Sequence, residues 1–419
     1  MRVTLSPAFA VVSAILVTGC AGSSSPIGAT TPAAISPATT SYEVLHRFSL
    51  KGGAASVDPT ANLLDVNGTL YGTTLGKGGP KHECGTVFSI STSGSKKTLH
   101  RFRGRDGCYP IGSLTDVNGT LYGTTVFGGT CCGVIYSLTT SGVEKMLYSF
   151  KGAPDGSHPW AGMVEMNGVL YGTTSEGGTS AGSICYSSFN HGCGTVYSVS
   201  TSGDEAVLYS FTGGKDGQRP TASLIVVNGT LYGTTIIGGG PHSDFGTVFS
   251  MTTSGSESIL HKFTGGADGV WPFAPLIYSK GTFYGTTERG GASNLGTVYS
   301  ISPSGSQAVL YSFGGGSDGQ NPLGSLVGLN GVLYGTASYG GDSACKSSYP
   351  YSGCGTIYSV TTSGSEQVLH AFHGADSRDG AFPQAGLTNH NGTLYGTTVS
   401  GGGKASGGYG SGTVFAITP

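Results

Sequence analysis

The phrase Leu-Tyr-Gly-Thr-Thr, or a near match, recurs seven times along the chain, at Tyr71, Tyr122, Tyr171, Tyr232, Tyr284, Tyr334 and Tyr395. The steps between these tyrosines are 51, 49, 61, 52, 50 and 61 residues. Such a period is too long for a helical pair and fits one four-stranded sheet, so the repeat predicts an all-β, seven-bladed β-propeller with four antiparallel strands per blade. Repeated sequence is mostly repeated packing. Any particular chemistry must therefore sit where the copies differ.

The copy from Pro220 to Phe263 shows how the strands are written. Thr221 to Val227 is a β-rich run, and Asn228-Gly229 then supplies the residue pair of a type I′ hairpin. A second strand over Thr230 to Ile237, a glycine-rich loop, a third strand over Thr247 to Thr252 and a fourth over Ser258 to Phe263 complete the blade. Glycine supplies the turns: 76 of 419 residues, against a usual share of ~7%. The Asn-Gly-Thr triplets at Asn67, Asn118, Asn228 and Asn391 match the glycosylation signal, but the hairpin accounts for them without it.

Two residues after Pro59, Pro110, Pro159, Pro220, Pro272, Pro322 and Pro383, every copy carries Ala or Gly. Blades converge toward the axis like wedges, so this small residue identifies the proline-led strand as the innermost. The array is also circularly offset. Tyr42 to Phe48 reads as a fourth strand with no blade before it, while the last copy stops after three strands at Ile417. An N-terminal outer strand on the last blade closes the ring and removes its open edges.

Met1-Arg2 and the apolar stretch Ala8 to Val17 read as a secretory signal, too short to span a membrane. It ends in Val17-Thr18-Gly19-Cys20, which resembles the bacterial lipobox, with Cys20 as the lipidated residue. The expected division is a signal peptide over 1–19, a lipid-anchored Cys20 with an Ala/Ser/Thr/Pro tether to 41, and the propeller over 42–419. Such a chain is exported to the bacterial cell envelope, where disulfides persist. Cys185 and Cys193 fall in one long loop and Cys345 and Cys354 in the equivalent loop of another copy, so each pair is expected to form a disulfide. Cys84, Cys108, Cys131 and Cys132 allow three pairings. No histidine pair accompanies the cysteines at zinc-like spacing.

The body from residue 42 resembles the GloVer-type, choice-of-anchor tandem-repeat family. The resemblance rests on Asn-Gly-Thr-Leu-Tyr-Gly-Thr-Thr, Gly-Thr-Val-Phe-Ser and Leu-Tyr-Ser-Phe followed by Asp-Gly and Pro. It is similar in outline to kelch repeats, without the kelch tryptophan. The resemblance implies an exported bacterial protein with a variable anchor, and brings no catalytic residue with it.

Charged residues make up 10% of the chain and the formal net charge is -2, with no basic stripe to neutralise phosphates, which argues against nucleic acid as a partner. Asp106, Asp155, Asp216, Asp268, Asp318 and Asp379 precede Gly four residues before the prolines. A ring of carboxylates suits a hard cation, but one acid per loop reads instead as an Asp-Gly turn bonded to nearby amides. His100, His261 and His370 share their outer-strand position with Tyr148, Tyr209 and Tyr311, an interblade packing site. No catalytic set, metal site or cofactor site assembles from spacing.

The residues just before the prolines are the variable ones: Asp58, Tyr109, His158, Arg219, Trp271, Asn321 and Phe382. Held extended by the following proline, Tyr109, His158, Arg219, Trp271 and Phe382 are expected to face a central mouth and bind a sugar or peptide. The reading is a monomeric, non-catalytic envelope lipoprotein, tied to the membrane by lipid alone, that presents this face to glycan or a surface protein. An exported carbohydrate-active enzyme and a structural surface protein are the alternatives.

Overall fold

The computed structural model describes residues 40–49, 57–76, 84–179, 185, 192–240, 243–343, 345, 352–374, 378–403 and 411–419. The signal segment, Cys20 and the tether lie outside them. Each copy folds into a four-stranded antiparallel sheet, and the seven sheets are the blades of a propeller. In the fourth blade the strands are Ile225–Val227, Thr230–Thr235, Thr247–Met251 and Glu257–Lys262, paired in sequence order.

The seventh sheet alone takes its outer strand from elsewhere. Ser41–Arg47 lies antiparallel to Thr413–Thr418, from Ser41 opposite Thr418 to Arg47 opposite Thr413. The ends of the chain thus close the ring, as the offset of the repeats requires.

The hairpins between first and second strands have the expected form. Asn228 and Gly229 sit at φ 50° and 76°, both positive, as a type I′ turn demands. Lys280 holds the asparagine's place in the fifth copy at φ 49°.

The innermost strand is shorter than its sequence suggests: pairing starts at Ile225 rather than Thr221. Within residues 221–224 the Ala222 carbonyl is bonded by a threonine side chain of the neighbouring blade, and the equivalent carbonyl in other copies likewise. Thr173 Oγ1 donates to the Ala222 carbonyl at 3.2 Å, and Thr124 and Thr336 donate to the carbonyls of Ala161 and Ala385 at 2.8 Å. The first threonine of the repeated phrase therefore bonds one blade to the next. At the axis the segments touch backbone to backbone, and a Cβ on Gly112 would stand 2.7 Å from the Ala161 carbonyl. That crowding accounts for the glycines, since a Cβ on Gly324 would likewise stand 2.6 Å from the Ala385 carbonyl.

The core lies between the blades. The phenylalanine following each outer strand meets the central aromatic of the next blade's third strand edge-on: Phe102–Tyr136, Phe150–Tyr197, Phe211–Phe249, Phe263–Tyr299, Phe313–Tyr358 and Phe372–Phe415, at 5.0 to 5.5 Å between centroids. Phe48, following the N-terminal strand, makes the same contact with Phe88 at 5.4 Å. Seven such contacts join the blades in a ring, each worth about 0.5–1.5 kcal/mol beyond its area burial.

Candidate functional site

The variable residues before the prolines do not adopt the extended conformation expected of them. All seven lie in the left-handed region, from His158 at φ 55° to Tyr109 at φ 60°. Proline disfavours the right-handed helical region for its predecessor, and two hydrogen bonds select the left-handed alternative. Tyr109 N donates to the Cys84 carbonyl of the preceding blade at 2.8 Å, while its carbonyl accepts from Val126 N of its own blade at 3.1 Å. The same pair of bonds recurs at Asp58, His158, Arg219, Trp271, Asn321 and Phe382. Each of these residues therefore staples two blades through its backbone, leaving its side chain free to vary.

The side chains meet a second variable position that sequence reasoning missed, two residues beyond the Gly-Thr-Thr of each repeated phrase. Phe127 occupies it in the second blade, with its ring 5.7 Å from Tyr109 and 5.0 Å from His158 of the next blade. Tyr339 lies 5.4 Å from Phe382, and the Arg289 guanidinium lies 5.2 Å from the Trp271 ring. His158 is buried, with its Nδ1 3.1 Å from Ser157 Oγ and 3.2 Å from Glu176 Oε2. Serine and acid thus share one ring nitrogen, which is not the relay of a hydrolytic triad.

Inside this ring lies an axial cavity of about 640 Å³. Tyr109 lines it, whereas His158, Arg219, Trp271 and Phe382 stand outside the lining. Its other aromatic walls are Phe127, Trp160 and Phe273, of which Phe127 and Trp160 are exposed. Trp160 and Phe273 immediately follow a proline, a position that also varies between copies. Glu288 is the one charged residue among the described residues lining the cavity. Burial pushes its carboxyl above the usual range, and Arg289 and Asn321 draw it partly back.

The Asp-Gly loops are turns. The carboxylates of Asp106, Asp155, Asp216 and Asp268 accept from the backbone amides of Arg103, Lys151, Thr212 and Thr264 at 2.7 to 3.0 Å. Each also faces the outer-strand histidine or tyrosine: His100 lies 2.9 Å from Asp106, and Tyr148 donates to Asp155 at 2.9 Å. The His/Tyr alternation thus marks partners of these aspartates as well as a packing position.

Cys185–Cys193 and Cys345–Cys354 are disulfides, and the ambiguous set resolves as Cys84–Cys108 and the adjacent pair Cys131–Cys132. Cys84–Cys108 joins the first blade to the second next to Tyr109. The Cys132 carbonyl receives the His158 amide at 2.9 Å. Two of the four links therefore brace the staples beside the aromatic side of the mouth.

A family profile described as the Gloeobacter/Verrucomicrobia repeat matches residues 19–186 and 182–415. None of the curated proteins compared with the chain matches it. Among solved structures, a puromycin hydrolase is similar at 12% identity and a TM-score of 0.52 over 83% of this chain, which spans only 51% of that protein. BamB from Moraxella catarrhalis is similar at 11% identity and a TM-score of 0.47, covering 90% of this chain and 98% of its own. At these identities the likeness is one of fold.

Proposed function

The chain belongs to the Gloeobacter/Verrucomicrobia repeat family, and on that footing we propose that it is a non-catalytic envelope lipoprotein whose rigid propeller presents the axial cavity as a binding face for glycan or a surface protein. The observation that carries this reading is the make-up of the cavity: four aromatic residues and a single carboxyl among the described lining. Ligand pockets are mostly apolar with a few placed polar groups. An exported carbohydrate-active enzyme is the second reading, but the common hydrolytic mechanism needs two carboxyls flanking the scissile bond. Glu288 has no such partner among the described lining residues.

The test is a glycan and peptide binding screen on the soluble body, repeated on Trp160→Ala. Exposed in the parent, Trp160 can be removed without emptying the core. Its loss is expected to weaken any cavity ligand by more than about 1 kcal/mol, the usual effect of an aromatic anchor. Lys280→Ala at the far hairpin is expected to leave binding unchanged. Equal binding by parent and Trp160→Ala would move the site elsewhere, and turnover of a bound oligosaccharide would favour the enzyme.

The anchor rests on Val17-Thr18-Gly19-Cys20, and four disulfides suit an oxidising compartment. Labelled fatty acid is expected to enter the parent and not Cys20→Ser. An unlabelled parent would leave the lipoprotein reading without support.

A further inference from the structure

We propose that His100, Asp106 and Glu144 form a binding site for one divalent transition-metal ion of the zinc type, at the seam between blades one and two. Their ligating atoms, one from each side chain, all lie within 4.8 Å of one another. The site is separate from the axial cavity and does not depend on what that cavity binds. His100 belongs to the outer strand Lys96–Arg101 of the first blade, Asp106 to the loop that follows it, and Glu144 opens the outer strand Glu144–Ser149 of the second blade. An ion held by all three clasps the two blades together.

Zinc binds imidazole nitrogen and carboxylate oxygen at about 2.0–2.2 Å, which sets neighbouring ligand atoms about 3.0–3.5 Å apart. His100 Nε2 and Asp106 Oδ2 already stand 2.9 Å apart. The other oxygen of Asp106 accepts the Arg103 amide at 2.7 Å, so the turn itself aims Oδ2 at the histidine. Two hydrogen bonds between Gly104 and Gly107, at 3.1 and 3.3 Å, close the loop that carries Asp106, and Cys84–Cys108 ties its end to the first blade. Two donors are thus fixed in advance. Glu144 supplies the third from a longer side chain, whose Oε1 is buried and has no hydrogen-bond partner. A buried acceptor without a partner is unfavourable, and a turn of this carboxyl onto the ion satisfies it.

The donor set selects the class of ion. Imidazole suits zinc and its transition-metal neighbours. Calcium takes roughly six to eight oxygen ligands, whereas two carboxylates offer few, and Asp106 Oδ1 is already bonded to an amide. Three protein ligands leave a tetrahedral ion one position for water. The way in is open, since the side chains of His100 and Asp106 are 18% and 25% exposed.

The equivalent positions of the other copies show why the set assembles at one seam alone among the described residues. Glutamate recurs at Glu205, Glu257 and Glu366, but there the outer-strand residue is Tyr148, Tyr209 or Tyr311, whose hydroxyl donates to the aspartate and offers the ion no imidazole nitrogen. His261 has Asp268 at 3.6 Å, but Gln307 stands in the glutamate's place, with its amide directed at the Asp268 carbonyl at 3.4 Å. His370 has Asp379 at 3.1 Å, but there the place is taken by Tyr42. Each partial set is a natural version of the first seam with one ligand exchanged.

Those exchanges supply the variants: His100→Tyr, as at Tyr148, and Glu144→Gln, as at Gln307. The full chain is stripped with chelator and titrated with zinc by calorimetry. The parent is expected to bind one equivalent that both variants bind at least about tenfold more weakly, the loss that follows removal of even a ligand's supporting partner. Zinc is also expected to raise the parent's melting temperature above that of either variant, because an ion bound only by the folded state stabilises it. His370 and His373 both reach Asp379, at 3.1 and 3.0 Å, and zinc held there is common to all three proteins, so the difference between them reports the seam. Calcium is expected to bind parent and variants alike. Equal zinc binding by the parent and both variants would overturn the proposal, and calcium separating them as strongly as zinc would overturn the assignment of the ion. Should one variant fail to fold, the other decides, and its binding zinc as the parent does would be equally decisive.

Discussion

Removal of residues 41–48 is expected to abolish the folded monomer. The segment supplies the whole outer strand of the seventh blade, with backbone pairing from Ser41 through Arg47 along Thr413–Thr418. Phe48 is 4% exposed and packs with Leu63, Leu70, Phe88, Ile90 and Val414. Truncating a buried phenylalanine costs about 3–5 kcal/mol. Tyr42 adds a stacked contact with His370 at 3.7 Å and a hydrogen bond to the Asp379 carbonyl at 2.8 Å. The combined loss is comparable to the whole stability of an ordinary domain, about 5–15 kcal/mol. The truncated chain would also present Thr413–Thr418 as an unpaired apolar edge, a template for association. Thermal unfolding and size-exclusion chromatography check this. A monodisperse truncated protein melting within a few degrees of the parent would show that closure contributes little. A peptide of residues 40–49 added in trans is expected to restore part of the transition by strand addition.

This closure was readable in the sequence because it depends on order alone: a fourth strand with no blade before it and a last blade with three strands leave one way to finish a ring. The blade count, strand order and type I′ turns were legible for the same reason, since each is written seven times. The two long-loop disulfides were legible through their shared loop position, whereas Cys131–Cys132 and Cys84–Cys108 share no such position that would choose among three pairings. The candidate site was legible only in part. Variation before the prolines drew attention to Tyr109, which lines the cavity, and to His158, Arg219, Trp271 and Phe382, which do not. Side-chain direction depended on a backbone torsion, and the following proline excludes one region without choosing between the others. Trp160 and Phe273 vary as much between copies but were hidden by assigning their stretch to a regular strand. Glu288 carries no local signal, because its importance comes only from where the axis runs.

The glycine of the repeated phrase is expected to be the least replaceable residue of each blade. Gly172 lies directly opposite Tyr197 on the paired third strand, and the buried ring covers it. A Cβ at Gly172 would stand 2.3 Å from the tyrosine Oη and 2.5 Å from Cζ, well inside contact distance. The same register holds at Gly72 with Phe88, Gly123 with Tyr136, Gly233 with Phe249, Gly285 with Tyr299, Gly335 with Tyr358 and Gly396 with Phe415. A ring wedged between two blades cannot swing aside without disturbing the next edge-on contact, here Phe150 at 5.2 Å. Gly172→Ala is therefore expected to cost about 3 kcal/mol, the upper end of overpacking effects, as a drop in denaturation midpoint with unchanged m-value. Gly229→Ala, where nothing approaches within 4 Å but φ is +76°, is expected to cost only the left-handed penalty of about 1–2 kcal/mol. Tyr197→Phe should act in the opposite direction, because its hydroxyl is buried without a hydrogen-bond partner and three blades already carry phenylalanine there. Adding Tyr197→Phe to Gly172→Ala should recover little, since Cζ itself lies in the path of the methyl group. Full recovery in the double variant would place the conflict at the hydroxyl alone and remove the ring from the explanation of the motif.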